Sequence, residues 1–346
     1  MVCTISKFNT VGHTGGYNYI VAMFDCFMLE ATMKILYLIP KPRYTKKMSC
    51  VRRHALGAVK RYPGVNLKIS GPGWEGFDSA DNVEKRFKPD LVWWYKPFDI
   101  PGYKNVKAPK CLSYNEMWDK VWTVNEIRGS KSGLVICHHH NDIEKYKGIL
   151  EPNKFKLVHN PHCGEIKIFK DYGLTKDIDV LFVGINSKKV YPLRNKLLKK
   201  VQPLIQEAGF NFQRFKHPGY RLKSYKEVQK HTIKYAMAIN RAKIAVTCSS
   251  VYRYALAKYA EIPLCKTALC ADMPHENMDW YDKWMIQIGP ESKPRVIADK
   301  IISYLKDKDS LEKITQRGYE ENLKHRTQEG YAERFVKIVK EYLNCI

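Results

Sequence analysis

Ser249 and Ser250, followed by Tyr252, Arg253 and Tyr254 and then by Glu261, bring hydroxyls, a cation and a carboxylate into one short stretch of the chain. The apolar run Lys243 to Cys248 just before them suits a buried parallel strand, and the polar residues begin where that strand would stop. In open α/β sheets, ligands bind outside the carboxyl ends of strands. Glu261 ends a short helical segment, eight residues beyond Arg253, where its carboxylate could accept two sugar hydroxyls. The competing reading is plain: a serine pair often caps a helix, and a glutamate on a surface helix is usually solvated.

A second cluster lies at the strand-to-helix junction after Asp179 to Gly184, where Lys188, Lys189 and Arg194 gather near a helix expected from Pro192. Free backbone N–H groups and the helix dipole favour an anion at such a point, unless Arg194 merely decorates a surface helix. The three consecutive histidines His138, His139 and His140 follow the strand-like run Leu134 to Cys137. Adjacent side chains diverge, so three in a row rarely ligate one metal. His140 or His138 could instead face a cleft as an acid, base or hydrogen-bonding group. Glu116 and Asp119 are expected to share one face of a starting helix and to serve as general base or sugar ligand, Glu116 being the catalytic candidate, with Asn115 beside it against an acceptor. Acids that merely favour a helix dipole are the alternative. Trp94 and Tyr95 supply ring faces for a sugar, or else one of the two is core.

These residues need elements to hold them. From Met33 the pattern alternates: strands at 34–39, 65–70, 90–95, 111–115, 133–138 and 155–159, with helices at 46–62, 81–88, 116–128 and 141–150. A second alternation begins at Asp179, passes through the Lys243 to Cys248 strand and a strand near Trp284 to Ile288, and ends in helices near 292–306, 308–325 and 329–343. Such alternation implies βαβ units. The expectation is an α/β protein of two Rossmann-like domains, each on a parallel sheet, facing one another across a cleft. The boundaries would be an N-terminal extension at 1–32, an acceptor-side domain at 33–160, a crossing at 161–177, a second domain at 178–328 and a final helical segment at 329–346 that packs back. His13-Thr-Gly-Gly-Tyr17 in the extension resembles a phosphate-facing glycine turn.

Composition bounds the choices. The chain has 346 residues, 45% hydrophobic and 27% charged, which are globular values for two domains. A net charge of +24 favours anionic partners such as nucleic acid, an acidic membrane face or phosphorylated substrates. Its lysines are scattered rather than striped, which weighs against nucleic acid. The 10 cysteines form no Cys-x-x-Cys pair, so reduced thiols in a cytoplasmic setting are expected. The Tyr19 to Leu29 run is too short to span a bilayer. No Walker, Rossmann-glycine, zinc or nucleophile-elbow motif occurs, which argues against the common NTPase, dehydrogenase and serine-hydrolase classes.

Ile168 to Gly184, Tyr191 to Arg194, Ala242 to Val246 and Lys258 to Pro263, in that order and spacing, resemble the spore-protein CgeB/YkvP-like group of GT-B glycosyltransferases. The resemblance covers roughly residues 160–335. It implies a GT-B fold and a metal-independent hexosyl- or pentosyltransferase with no cofactor. The donor, a nucleotide sugar such as a UDP- or GDP-sugar, would lie on the second domain, and a glycan or glycoconjugate acceptor would approach from the first. Glu261 falls where relatives bind the nucleotide ribose, Arg194 and the loop with Ser249, Ser250 and Arg253 fall where the diphosphate is expected, and Gly184 is a further donor-binding residue. The chain departs from the Glu-x7-Glu pattern of relatives at Arg253 and has Lys266 where a small residue is usual, so no stereochemical outcome follows. A basic nucleic-acid-binding protein and a GT-B-shaped protein without turnover are the rival readings.

Overall fold

The computed structural model describes residues 32–46, 50–219 and 222–346. The expected glycine turn at His13 to Tyr17 and the rest of the N-terminal extension lie outside the described residues.

Two parallel sheets organise the described chain. The first has six strands, β1 (Met33–Leu38), β2 (Val65–Ser70), β3 (Leu91–Trp94), β4 (Lys110–Tyr114), β5 (Leu134–Cys137) and β6 (Lys156–His159), in the order β2-β1-β3-β4-β5-β6. The second has five strands, β7 (Ile178–Val183), β8 (Phe212–Phe215), β9 (Ala242–Val246), β10 (Ala268–Ala271) and β11 (Ile286–Gln287), in the order β11-β10-β9-β7-β8. Every neighbouring pair runs parallel. Helices cover both faces of a parallel sheet, so its strands read as near-continuous apolar runs. MKILYL in β1 and LVIC in β5 are of this kind, and all four residues of β5 are buried.

Both sheets reverse direction after their second strand. The reversal lies between β1 and β3 in the first sheet and between β7 and β9 in the second. A crevice forms where neighbouring strand exits diverge, and ligands of open α/β sheets sit there.

The last helix, Gln328–Leu343, returns to the first sheet. Its Tyr331, Phe335, Val336 and Val339 join Ile35, Tyr37, Val59 and Trp93 in one core cluster. Its apolar residues recur at helical spacing, which presents one face to the helix Cys50–Arg61 and the sheet beyond. Thr327 caps it by accepting from the Gly330 N–H. Cys111, Cys137, Cys163, Cys248, Cys265 and Cys270 are free, buried thiols. Among the described residues, no helix is long and apolar enough to cross a membrane.

Three local expectations are corrected. Residues 116–119 are not helical, and the helix is Lys120–Ser130, with the Asp119 side chain capping it by accepting from the Trp122 N–H at 2.8 Å. Glu116 and Asp119 therefore do not share a helix face. The helix expected at 46–62 occupies Cys50–Arg61 among the described residues. Phe212–Phe215, read as no element from the sequence, is edge strand β8, whose middle residues are polar and exposed.

Candidate active site

The second sheet's reversal point is built around Gly184 and Arg194. Gly184 follows β7 directly with φ +112°, and a Cβ there would stand 2.8 Å from Arg194 Nη1 and 3.2 Å from Lys258 Cε. Only glycine accepts both that backbone and that crowding. Arg194 enters from the turn that starts at Pro192, is 2% exposed and stacks 4.0 Å above the Tyr191 ring. Its guanidinium donates to the Ile185 carbonyl and the Cys248 carbonyl, both at 3.2 Å, tying the exit of β7 to the exit of β9. Its Nε is buried without a hydrogen-bond partner. Burial, and after it the neighbouring charges of Lys258, His231 and Arg194, push His217 down to about 4.

Glu261 lies beside these cations, in the helix Lys258–Leu264, and is 5% exposed. Its Oε2 accepts from the Tyr235 hydroxyl at 3.3 Å. Burial pushes its carboxyl above the usual range, opposed by the charge of Lys258 and by the tyrosine. A carboxylate retained at such depth is costly unless something uses it.

The Ser249–Tyr254 loop is strained and ordered by acids. Ser250 and Arg253 have φ of 71° and 54°, in the left-handed region. Ser249 is buried, its N–H and hydroxyl both given to Asp272, at 2.7 and 2.5 Å. Ser250 Oγ accepts from the Tyr252 N–H at 3.2 Å. Arg253 is exposed, and its Nη2 donates to the Met273 carbonyl at 3.4 Å. The loop thus positions backbone and cation, while the Ser249 side chain is spent on Asp272.

The same loop closes against the first domain. Tyr254 donates its hydroxyl to Asp142 at 2.6 Å, and its ring lies parallel to that of His139, centroids 4.0 Å apart. Asn141 donates to the Tyr252 carbonyl at 3.0 Å. Glu276, 3% exposed, accepts from the His140 N–H at 2.7 Å and stands 3.3 Å from His159 Nε2. Asp142 also accepts from the Met117 N–H at 3.1 Å, and burial raises its carboxyl to about 6 despite both hydrogen bonds.

The three histidines separate as alternation along a chain requires. His138 is a correction: it is buried, with Nδ1 at 2.9 Å from the Asn160 carbonyl and its ring stacked on His162 next to Tyr331, so it belongs to the packing under the last helix. His139 is fully buried at the interdomain contact, with neither ring nitrogen hydrogen-bonded, and burial lowers it to about 3. His140 is about half exposed and pairs with Glu144 at 3.4 Å.

On the first domain's wall, Tyr95, Asn115 and Glu116 line one cavity of about 150 Å³ together with Lys96, Tyr114, Trp118, Asp119, Trp122 and Thr123. Trp94 does not belong to it. As the last residue of β3 it is fully buried, donating to Ser132 Oγ at 2.8 Å, so its assignment to an acceptor is corrected to core. Sequence reading missed Lys258, Asp272, Glu276 and Asp142. Their partners lie far along the chain, and only a strand-exit position marked them. Among the described residues, no group of three or more His, Cys, Asp or Glu side chains is arranged to hold a metal ion.

Neither a family model nor a curated protein sequence matches the chain. Solved structures do match in shape. Sucrose-phosphate synthase from Thermosynechococcus elongatus aligns with a TM-score of 0.63 at 11% identity, over 91% of this chain and 100% of that one. A glycosyltransferase from Rickettsia africae gives 0.59 at 14% identity, over 90% and 99%. Anabaena HepE in complex with UDP and glucose gives 0.60 at 12% identity, over 89% and 99%. The chain has the GT-B fold.

Proposed function

We propose that the chain is a glycosyltransferase of the CgeB/YkvP-like type, moving a sugar from a nucleoside-diphosphate donor on the second domain to a hydroxyl acceptor on the first. One observation carries the reading. At the reversal of the second sheet, Arg194 and Lys258 crowd a glycine that admits no side chain, and the buried Glu261 stands alongside.

Glycosyl transfer develops positive charge on the sugar and negative charge on the departing diphosphate. Fixed cations at the leaving group stabilise what the transition state creates. Arg194, Lys258 and the positive-φ turns at Ser250 and Arg253 would hold the diphosphate, and Glu261 would accept the ribose hydroxyls. With the charge supplied by side chains, no metal is required. On the acceptor side, Glu116 faces the first domain's cavity and would take the hydroxyl proton.

UDP is the nucleotide to try first, because HepE is described with UDP and glucose bound. The fold also occurs in a protein described as a putative UDP-N-acetylglucosamine 2-epimerase, so the product must be identified as well as the ligand. Calorimetry with UDP- and GDP-sugars on the native chain and on Glu261→Gln is the test. Loss of a charged acceptor should weaken donor binding by about 1.5 to 3 kcal/mol. Burial disfavours the charged carboxylate while Lys258 favours it, so the isosteric amide should leave the melting temperature nearly unchanged. Equal donor affinity in the variant would refute the assignment.

A further inference from the structure

The cavity on the first domain has a chemistry opposite to that of the second domain's crevice. Lys96 is its single cation, and it is already engaged. The ammonium donates to both oxygens of Glu126, at 2.7 and 2.9 Å, and lies 5.6 to 5.7 Å from the ring centroids of Tyr95, Tyr114 and Trp122. Glu126 is 4% exposed and also accepts from the Tyr114 hydroxyl and from Trp122 Nε1, so the wall is braced from behind. An ammonium has three donors. Two are on Glu126, which leaves one for a ligand.

Around this fixed point stand Glu116, Asp119 and Asn115 at the rim, and two large rings in solvent. Trp118 is 54% exposed and Trp122 63% exposed, although both line the cavity. Exposed tryptophans are uncommon on a surface that binds nothing. Glu116 and Asp119 line the cavity with Lys96, whose charge Glu126 already balances, and the nearby Lys145 ammonium is turned to the Met117 and Trp118 carbonyls, so the lining favours a neutral ligand over a phosphate or carboxylate in a chain whose net charge is otherwise +24. The volume, about 150 Å³, is of the size that takes one six-membered ring. Aromatic faces with a few convergent hydrogen-bonding groups are the usual lining of a small-molecule site.

We infer that this cavity is the acceptor subsite and that it takes one neutral pyranose ring, stacked on Trp118 and Trp122 with its hydroxyls on Lys96, Asn115 and Glu116. It lies beside the interdomain contact: Glu116 precedes Met117, whose N–H is held by Asp142, Asp142 is held in turn by Tyr254 of the second domain, and the Glu116 charge acts on both. The inference rests on the transferase reading for the word acceptor, but the binding it asserts does not depend on a donor.

The test uses the full chain and saturation-transfer NMR with the methyl glycosides of glucose, galactose, mannose and N-acetylglucosamine, and with glucose 6-phosphate and methyl glucuronide as anionic counterparts. At least one neutral glycoside should bind, with transfer strongest at the ring C–H protons, and the anionic sugars should not. Trp118→Ala and Trp122→Ala remove exposed rings and should each weaken that binding about tenfold, while the UDP-sugar affinity stays unchanged. Loss of UDP-sugar binding with glycoside binding intact would sink the donor assignment and leave this one standing. Three results would overturn the inference: no neutral glycoside binding, affinity unchanged in both variants, or preference for the anionic sugars. Sedimentation with phosphatidylglycerol vesicles, abolished by the same substitutions in the absence of any glycoside binding, would instead make the two rings a membrane contact and equally overturn it.

Discussion

Asp142→Asn tests one of the contacts that join the two domains. Asp142 is 1% exposed, between the Met117 N–H and the Tyr254 hydroxyl, and burial raises its carboxyl from the ordinary 3.8 to about 6. Its proton is thus bound more tightly in the folded chain than in the unfolded one. The stability it confers is complete below the ordinary carboxylate range and is lost as pH rises through about 6. A shift of that size corresponds to roughly 3 kcal/mol between the two limits. Buried and half-buried histidines act with the opposite sign. Burial lowers His139 to about 3 and His54 and His217 to about 4, so their contribution is present above the ordinary histidine value and is lost as pH falls.

The two slopes overlap in the native chain, and only a difference between variants separates them. An amide at 142 is close in shape to the protonated acid and carries no titration. Its oxygen can accept from Met117, and its nitrogen can donate to the Tyr254 oxygen. Urea denaturation of both proteins across about pH 4 to 8 should give a difference that grows in the variant's favour up to about pH 6 and is level above it, by roughly 3 kcal/mol in total. A flat difference, or a variant that is less stable at about pH 8, would show that Asp142 is not the buried, proton-retaining group the structure describes.

Gly184→Ala should lose donor binding and be destabilised by more than about 1 kcal/mol, because a Cβ at φ +112° stands 2.8 Å from Arg194 Nη1; calorimetry and a melting curve read both. Glu116→Gln should cut turnover by about 10²- to 10⁴-fold with donor affinity preserved, which a UDP-release assay against donor calorimetry would separate. Activity should survive dialysis against EDTA; loss restored by magnesium or manganese would replace the cation-held diphosphate with a metal-held one.

The architecture was legible because parallel strands covered on both faces leave long apolar runs, and MKILYL, LVIC and AKIAV are such runs. Edge strand β8 left no such run, since Gln213 and Arg214 face solvent, and it went unread. The same double burial explains Trp94. On a strand covered on both faces, alternation does not say which ring reaches solvent. Tyr95 reaches the cavity because β3 ends one residue earlier.

The site was legible only where chemistry and a strand exit coincide in sequence. Gly184 with Arg194, and Ser249 to Arg253 with Glu261, are such places, and their residues stand at the two exits that flank the reversal of the second sheet. The contacts that complete the cleft join residues more than a hundred positions apart: Asp142 with Tyr254, and His140 with Glu276. No spacing rule reaches that far. The histidine run shows the limit within three residues, because one ring packs under the last helix, one against the second domain and one toward solvent. Residue type marked the cluster, but the direction of each side chain was set by the start of the helix His140–Leu150 at its third member. A cleft of this kind is therefore read from sequence one wall at a time, and the polarity of each wall, cationic at Arg194 and Lys258 and acidic at Glu116 and Asp119, emerges only when the strand exits are assembled.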